Sequence, residues 1–321
     1  MPRKNKIAIA GAGVFGTSIA ERLAWNQNND ITLYSIEKNV VADINENHRN
    51  SQYFPTRYIN AEIKATGELD AFAAADYIFL VLPSKVIVPF SQKITEVTHK
   101  DCLVVNLAKG MSDEGAFITE DIPFKRTASM KGPTFAIEVL NGFPSAFTFG
   151  GIREDYDELK KNVPTDTGIY LDYTADIRGV ELMSVLKNMY AIAIGLVSGR
   201  YNSPNVDFLV YTKAAREMRK FLRKFGCDEE TFFRYCGMGD LGLTSLNDLS
   251  RNRTLGLLIG KGFNVDQGSS STVTEGYRTI KLMGELTRHD DIAEDFPLVQ
   301  ALYRLMYEGD SLNNYLNSVF A

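Results

Sequence analysis

The sequence predicts an α/β protein in two parts: a mostly parallel sheet wrapped by helices over residues 1–173, then an all-helical region over residues 174–321. Three observations predict it. Apolar runs of strand length alternate with helical patterns as far as residue 173, and strands covered on both faces lose their polar alternation. Strand signals largely stop after Thr174, and long helical patterns take over. Finally, a glycine cluster, Gly11-Ala12-Gly13-Val14-Phe15-Gly16, stands between the first apolar run and the first helical pattern, where a βαβ unit places its tight turn.

The first strand is Ile7-Ala8-Ile9-Ala10 and the second Ile31-Thr32-Leu33-Tyr34, with a helical pattern over 17–26 between them. In such a unit the first glycine permits the sharp turn, the second lets a pyrophosphate approach the backbone, and the third lets helix and strand pack closely. The helix start offers free N–H groups and the positive end of the dipole. Gly11, Gly13, Val14, Phe15 and Gly16 are therefore candidate contacts of a dinucleotide cofactor, and this half reads as a Rossmann domain. Glycines also punctuate ordinary turns; the strand before and the helix after raise the motif above that reading. Past Tyr34 come Val40-Val41-Ala42-Asp43-Ile44 and a polar stretch from 48 to 55. Runs at 77–82 and 102–107 read as buried strands, ended by Pro83-Ser84 and Ala108-Lys109-Gly110, with a helix pattern at 86–98 between them. Residues 127–130 lead into Gly132-Pro133, and 145–149 and 169–173 read as later strands. Helical patterns follow at 176–199, 205–225, 251–261, 274–286 and 297–307. The tract Gly268-Ser269-Ser270-Ser271-Thr272 reads as a flexible loop that could cover a site.

With 321 residues the chain fits two domains. Its 45% hydrophobic and 23% charged residues are those of a globular protein, and a formal net charge of −5 argues against a nucleic-acid partner. The basic run from 216 to 224 reads as the solvated face of a helix. Cys102, Cys227 and Cys236 form no C-x-x-C pair and no zinc spacing, so no metal is expected and a reducing, cytoplasmic setting is. The chain shows no membrane-spanning run, and its glycine motif begins too early for a signal peptide.

In open α/β sheets ligands lie beyond the carboxyl ends of the strands. Ser84, Lys109 and the Gly132-Pro133-Thr134 turn stand at such ends. Lys109 is either a site cation or an ordinary lysine in a polar turn. The stretch 180–197 is apolar nearly all round, which marks a buried helix, with Lys187 and Asn188 in its middle. A buried lysine needs a partner. Facing a cleft, it could give a proton to a carbonyl oxygen; otherwise it snorkels to the surface. Gly237-Met238-Gly239-Asp240-Leu241-Gly242 reads as a glycine-rich turn with one acid, and Thr244 lies four residues past that acid. Ser250 suits an N-cap, with Arg251 and Asn252 in the first turn: a phosphate site or a plain capped helix. Cofactor choice is decided just past the second strand. Glu37 lies 21 residues past Gly16. A carboxylate there takes ribose hydroxyls and repels a 2′-phosphate, which favours NAD and leaves NADP open. The alternative is that Glu37 is a first-turn acid of the next helix.

Together these residues resemble the NAD(P)-dependent glycerol-3-phosphate dehydrogenase family over nearly the whole chain. The resemblance is carried by residues 11–17, by His48-Arg49-Asn50-Ser51-Gln52-Tyr53-Phe54-Pro55, Ala108-Lys109-Gly110, and Gly132-Pro133-Thr134-Phe135-Ala136-Ile137-Glu138. It continues through Gly179-Val180-Glu181-Leu182, residues 186–193, Gly239-Asp240-Leu241 and Ser250-Arg251-Asn252. It implies an N-terminal Rossmann domain with a mostly parallel sheet, plus a C-terminal all-α domain for substrate binding and catalysis. It implies reversible reduction of dihydroxyacetone phosphate to sn-glycerol 3-phosphate. Lys187 is implied as the acid/base, Lys109 as a second lysine near substrate and cofactor, and Asp240 with Thr244 as the residues holding that cluster. Gly132, Thr134, Ser250, Arg251 and Asn252 are implied at the substrate, with Arg251 on its phosphate and also near the cofactor. Ala136 and Glu275 are implied at the cofactor, and Ser84 joins them by position. The family usually carries serine where Thr134 stands; the hydroxyl is retained. A homodimer is implied as well. Rival readings are a dehydrogenase for another phosphorylated ketone or a β-hydroxyacid, and a silent cofactor-binding sensor. The β-hydroxyacid reading has no need of the Ser250-Arg251-Asn252 group, and the sensor has none of Lys109 and Lys187.

Overall fold

The computed structural model describes residues 3–111, 117–263 and 274–321; the tract 268–272 lies outside the described residues. The chain divides into two compact units, Met1–Glu181 and Leu182–Ala321.

The first unit is built on eight strands: β1 Asn5–Ala10, β2 Asn29–Tyr34, β3 Lys64–Thr66, β4 Tyr77–Leu80, β5 Leu103–Asn106, β6 Arg126–Lys131, β7 Ser145–Gly150 and β8 Ile169–Thr174. They form one sheet in the order β3-β2-β1-β4-β5-β6-β7-β8. Neighbours are parallel except β6 and β7, which run antiparallel. The connection order reverses at β1, which pairs with β2 on one side and β4 on the other. The crevice at such a reversal is the ligand position of open α/β sheets. β4 and β5 are buried throughout, as strands covered on both faces must be. Alternate residues of β1 enter opposite clusters, Ile7 and Ile9 one, Ala8 and Ala10 the other. Helices Val14–Leu23, Lys38–Asn47, Ser84–Thr95, Ala136–Leu140 and Arg153–Asn162 are among those joining the strands. The sequence reading missed β3, which at three residues is too short to show a period, and the helix Arg153–Asn162.

The described residues of the second unit are helical and contain no strand. Its helices include Pro204–Lys224, Asp240–Leu246, Arg251–Gly260, Glu275–His289, Pro297–Tyr307 and Leu312–Phe320. The division between units falls inside the helix Ile177–Tyr201. By length and composition this helix could cross a membrane, yet its apolar window is wholly buried within the protein. It meets Arg251–Gly260 backbone to backbone. A Cβ on Gly256 would fall 2.2 Å from Ile192 O, and one on Gly260 2.1 Å from Leu196 O, so only glycine permits the crossing. The basic run is a solvated face: Lys220, Arg223 and Lys224 pair with Asp295, Glu229 and Asp290, while Phe221 and Glu217 are buried.

Candidate active site

In the first unit, Gly11 has φ +111°, and a Cβ there would fall 2.6 Å from Val81 O. A Cβ on Gly16 would fall 1.9 Å from Gly11 O, so the helix sits directly on the turn. Around Gly13 a Cβ would meet nothing within 4 Å. That open face is where a phosphate can approach, and no side chain caps the helix start beside it. Val14 is exposed at this start, while Phe15 turns its ring toward Phe147, 6.5 Å between centroids. Buried Asn50 braces the turn, donating to Ala12 O and to Thr17 Oγ1, each at 2.8 Å.

Glu37 caps the helix Lys38–Asn47 by backbone position only; its side chain makes no capping bond. The carboxylate instead accepts from Gln52 Nε2 at 2.5 Å and from Tyr53 Oη at 2.9 Å. Ser84 opens the helix Ser84–Thr95, and a Cβ on Gly110 would fall 3.1 Å from its hydroxyl, so the turns after β4 and β5 touch. Asn106, at the end of β5, shapes the turn that presents Lys109: its Oδ1 accepts from Ala108 N at 2.9 Å. Behind it, Asn106 Nδ2 donates to buried Glu181 at 2.5 Å, and buried Lys131 Nζ donates to Asn106 O at 2.8 Å. Burial pushes the Glu181 carboxyl up, against the opposing charge of Lys131. Sequence reasoning gave Asn106, Lys131 and Glu181 no role, because their link runs through the fold rather than along the chain. Gly132 serves a close approach, since a Cβ there would fall 2.1 Å from Ala146 O. Buried Thr134 donates to Gly132 O at 3.3 Å, and Ala136 opens the helix Ala136–Leu140.

In the second unit, Lys187 is 1% exposed and its Nζ lies 2.5 Å from Asp240 Oδ2. It does not snorkel. Thr244 Oγ1 donates to Asp240 Oδ1 at 3.3 Å, so Thr244 orients the acid that holds the lysine. The expected glycine turn is instead a π-helical segment, Tyr235–Gly239, running into the helix Asp240–Leu246. Gly237 is there because a Cβ would fall 2.2 Å from Phe232 O, a packing need that looks like a turn signal in the sequence. Such π segments recur at functional sites. Asn188 Nδ2 donates to Glu275 Oε2 at 3.2 Å, and Asn252 Oδ1 accepts from Gly276 N at 3.2 Å, so these residues form one linked group. Ser250 is the N-cap, accepting from Arg253 N at 3.3 Å. Arg253 is tied down by Ser245 O, Ser198 and Asp248, whereas Arg251 is exposed at the helix start.

The open face at Gly13, the uncapped helix start and the oriented Glu37 carboxylate fit a dinucleotide. Joined in one chain to a buried lysine–aspartate pair, they define the class: a nicotinamide-dependent oxidoreductase. Residues 6–156 match the family described as NAD-dependent glycerol-3-phosphate dehydrogenase N-terminus, and residues 176–317 its C-terminus. A glycerol-3-phosphate dehydrogenase from Methanothermobacter thermautotrophicus is 32% identical over 97% of this chain and 96% of its own. One from Clostridium perfringens is 30% identical over 97% and 95%. The crystal structure of the Coxiella burnetii glycerol-3-phosphate dehydrogenase matches with a TM-score of 0.86 and 25% identity over 99% of both chains. The chain belongs to the NAD-dependent glycerol-3-phosphate dehydrogenase family.

Proposed function

We propose that this chain interconverts dihydroxyacetone phosphate and sn-glycerol 3-phosphate with NAD(P)(H), Lys187 serving as acid/base. The observation that carries this reading is the buried Lys187–Asp240 pair in a chain of this family. When bound, the nicotinamide supplies or takes the hydride at the substrate carbon. Lys187 gives a proton to the carbonyl oxygen during reduction and takes it from the hydroxyl during oxidation. Asp240 balances the buried ammonium and fixes its place, with Thr244 holding the acid. Lys109 is assigned a second positive charge at the developing alkoxide. Gly132, Thr134, Ser250 and Asn252 are assigned to the substrate, and Arg251 to its phosphate, where a charge-assisted bond suits an exposed guanidinium. Gly11, Gly13, Val14, Phe15, Gly16, Ser84, Ala136 and Glu275 are assigned to the cofactor, which Lys109 and Arg251 also approach. Glu37 takes its ribose, giving a preference for NAD(H). Residues 1–173 act as the cofactor domain and residues 174–321 as the substrate and catalytic domain. The proposed assembly is a cytoplasmic homodimer, for which exposed Phe208, Leu209, Tyr235, Met238 and Leu249 offer apolar surface.

The test follows absorbance at 340 nm with dihydroxyacetone phosphate and either NADH or NADPH. Cofactor oxidation that depends on the ketone, faster with NADH, is the expected result. Turnover only with a different ketone would overturn the substrate, and none with any would overturn the activity.

A further inference from the structure

We propose that Gln52 and Tyr53 are specificity-determining positioning residues: their side chains lock the Glu37 carboxylate against the ribose and so exclude a 2′-phosphate. The inference rests on the reading of Glu37 as the ribose contact.

The short segment 50–53 reaches both turns that a dinucleotide would touch. Asn50 ties it to the glycine turn through Ala12 O and Thr17 Oγ1. Ser51 N donates to Asp43 Oδ2 at 2.7 Å, fixing the segment to the helix Lys38–Asn47. Gln52 and Tyr53 then take one Glu37 oxygen each, and Asn39 Nδ2 holds Gln52 Oε1 at 2.7 Å so that its amide presents the donor. The turn itself is pinned from within, since Glu37 N donates to Ser35 Oγ at 3.1 Å.

A carboxylate has about four lone-pair sites. Two are occupied here, which leaves acceptors for the two hydroxyls of an adenosine ribose. The same two bonds remove the freedom of Glu37 to swing aside. A free glutamate on an exposed turn could rotate into water and let a 2′-phosphate in; a glutamate gripped at both oxygens keeps its negative charge where that phosphate would sit. Lys38, next in the chain, is exposed and could attract such a phosphate, so discrimination falls to the fixed carboxylate. Tyr53 is itself anchored, packing against a buried core cluster of the first unit.

The test is the dissociation constant of NADH and of NADPH, by fluorescence titration of the full chain, for wild type, Tyr53→Phe, Gln52→Ala with Tyr53→Phe, and Glu37→Gln. Tyr53→Phe removes one hydroxyl and keeps the ring packed against the core, so it stays informative if the double variant folds poorly. Each lost bond should weaken NADH roughly threefold to tenfold with little loss for NADPH, narrowing the ratio of the two constants. Equal weakening of both cofactors, or an unchanged ratio beside a ratio shifted in Glu37→Gln, overturns the proposal and leaves Glu37 at the ribose. A ratio unmoved in Glu37→Gln as well overturns the Glu37 reading and the proposal with it.

Discussion

Two carboxylates are buried to a similar depth in the helical unit, and they meet side chains three residues apart on the same helix. Asp240 meets Lys187 and Glu217 meets Tyr190. Asp240 faces a cation at 2.5 Å. Among the described residues, Glu217 faces only neutral donors at close range: the Tyr190 hydroxyl at 2.9 Å and the N–H groups of Leu298 and Val299 at 2.7 and 3.2 Å. Burial pushes the Glu217 carboxyl up to about 7, and those donors and the more distant Lys220 only partly offset it. The same burial lifts the Tyr190 hydroxyl well above its usual range. Depth does not decide what a buried acid does; its partner does. An acid beside a buried cation balances that charge and fixes its place. An acid among neutral donors ties elements together, here the helices Ile177–Tyr201, Pro204–Lys224 and Pro297–Tyr307.

The strongest way to break that contrast is Asp240→Asn. It takes the opposing charge away from the buried Lys187 ammonium, and losing one member of a buried ion pair typically costs about 3–5 kcal/mol. A guanidinium midpoint close to wild type would mean that the pair is not a true buried ion pair. Next is Glu217→Gln. Folded Glu217 keeps its proton up to about pH 7, whereas in the unfolded chain it is lost near the ordinary value of 4.5. The folded state thus binds more protons between those values, and stability from this group is full below about 4.5 and lost as pH rises through about 7. The variant should lack that loss, narrowing the stability difference between pH 5 and pH 8 by on the order of 2–3 kcal/mol. Identical pH dependence in wild type and variant would sink the assignment. Gly260→Ala attacks the support of both pairs by pressing a methyl into the Leu196 carbonyl, 2.1 Å away. Overpacking of this kind costs about 1–3 kcal/mol, readable as a lower melting temperature. The mildest break is Tyr190→Phe, which removes one of three donors to Glu217 at about 1 kcal/mol. A loss as large as that of Asp240→Asn would erase the distinction between the two acids.

Much of the fold was legible because its signals are local. The apolar runs at 77–82 and 102–107 became β4 and β5, and Gly11 and Gly16 stand where a side chain would strike Val81 O and Gly11 O. Lys187 was legible as an anomaly, a cation in an apolar helix. What stayed hidden depends on residues meeting across the fold. The reversed direction of β7 leaves no mark in Ser145-Ala146-Phe147-Thr148-Phe149, since an apolar run has no sense of direction. Glycines 237 and 239 read as a turn although they lie in a π-helical segment, because glycine marks close packing as well as bends. The grip of Gln52 and Tyr53 on Glu37 spans 15 and 16 residues, and Glu217 meets Leu298 across 81; periodicity reports neither.

The most direct measurement is the turnover of dihydroxyacetone phosphate by Lys187→Ala at saturating NADH, with NADH affinity measured beside it. A fall in kcat of ~10²–10⁴-fold at nearly constant NADH affinity is the predicted result, since a positioned general acid contributes that much. A kcat within a few-fold of wild type would contradict the assignment of Lys187 as the acid/base.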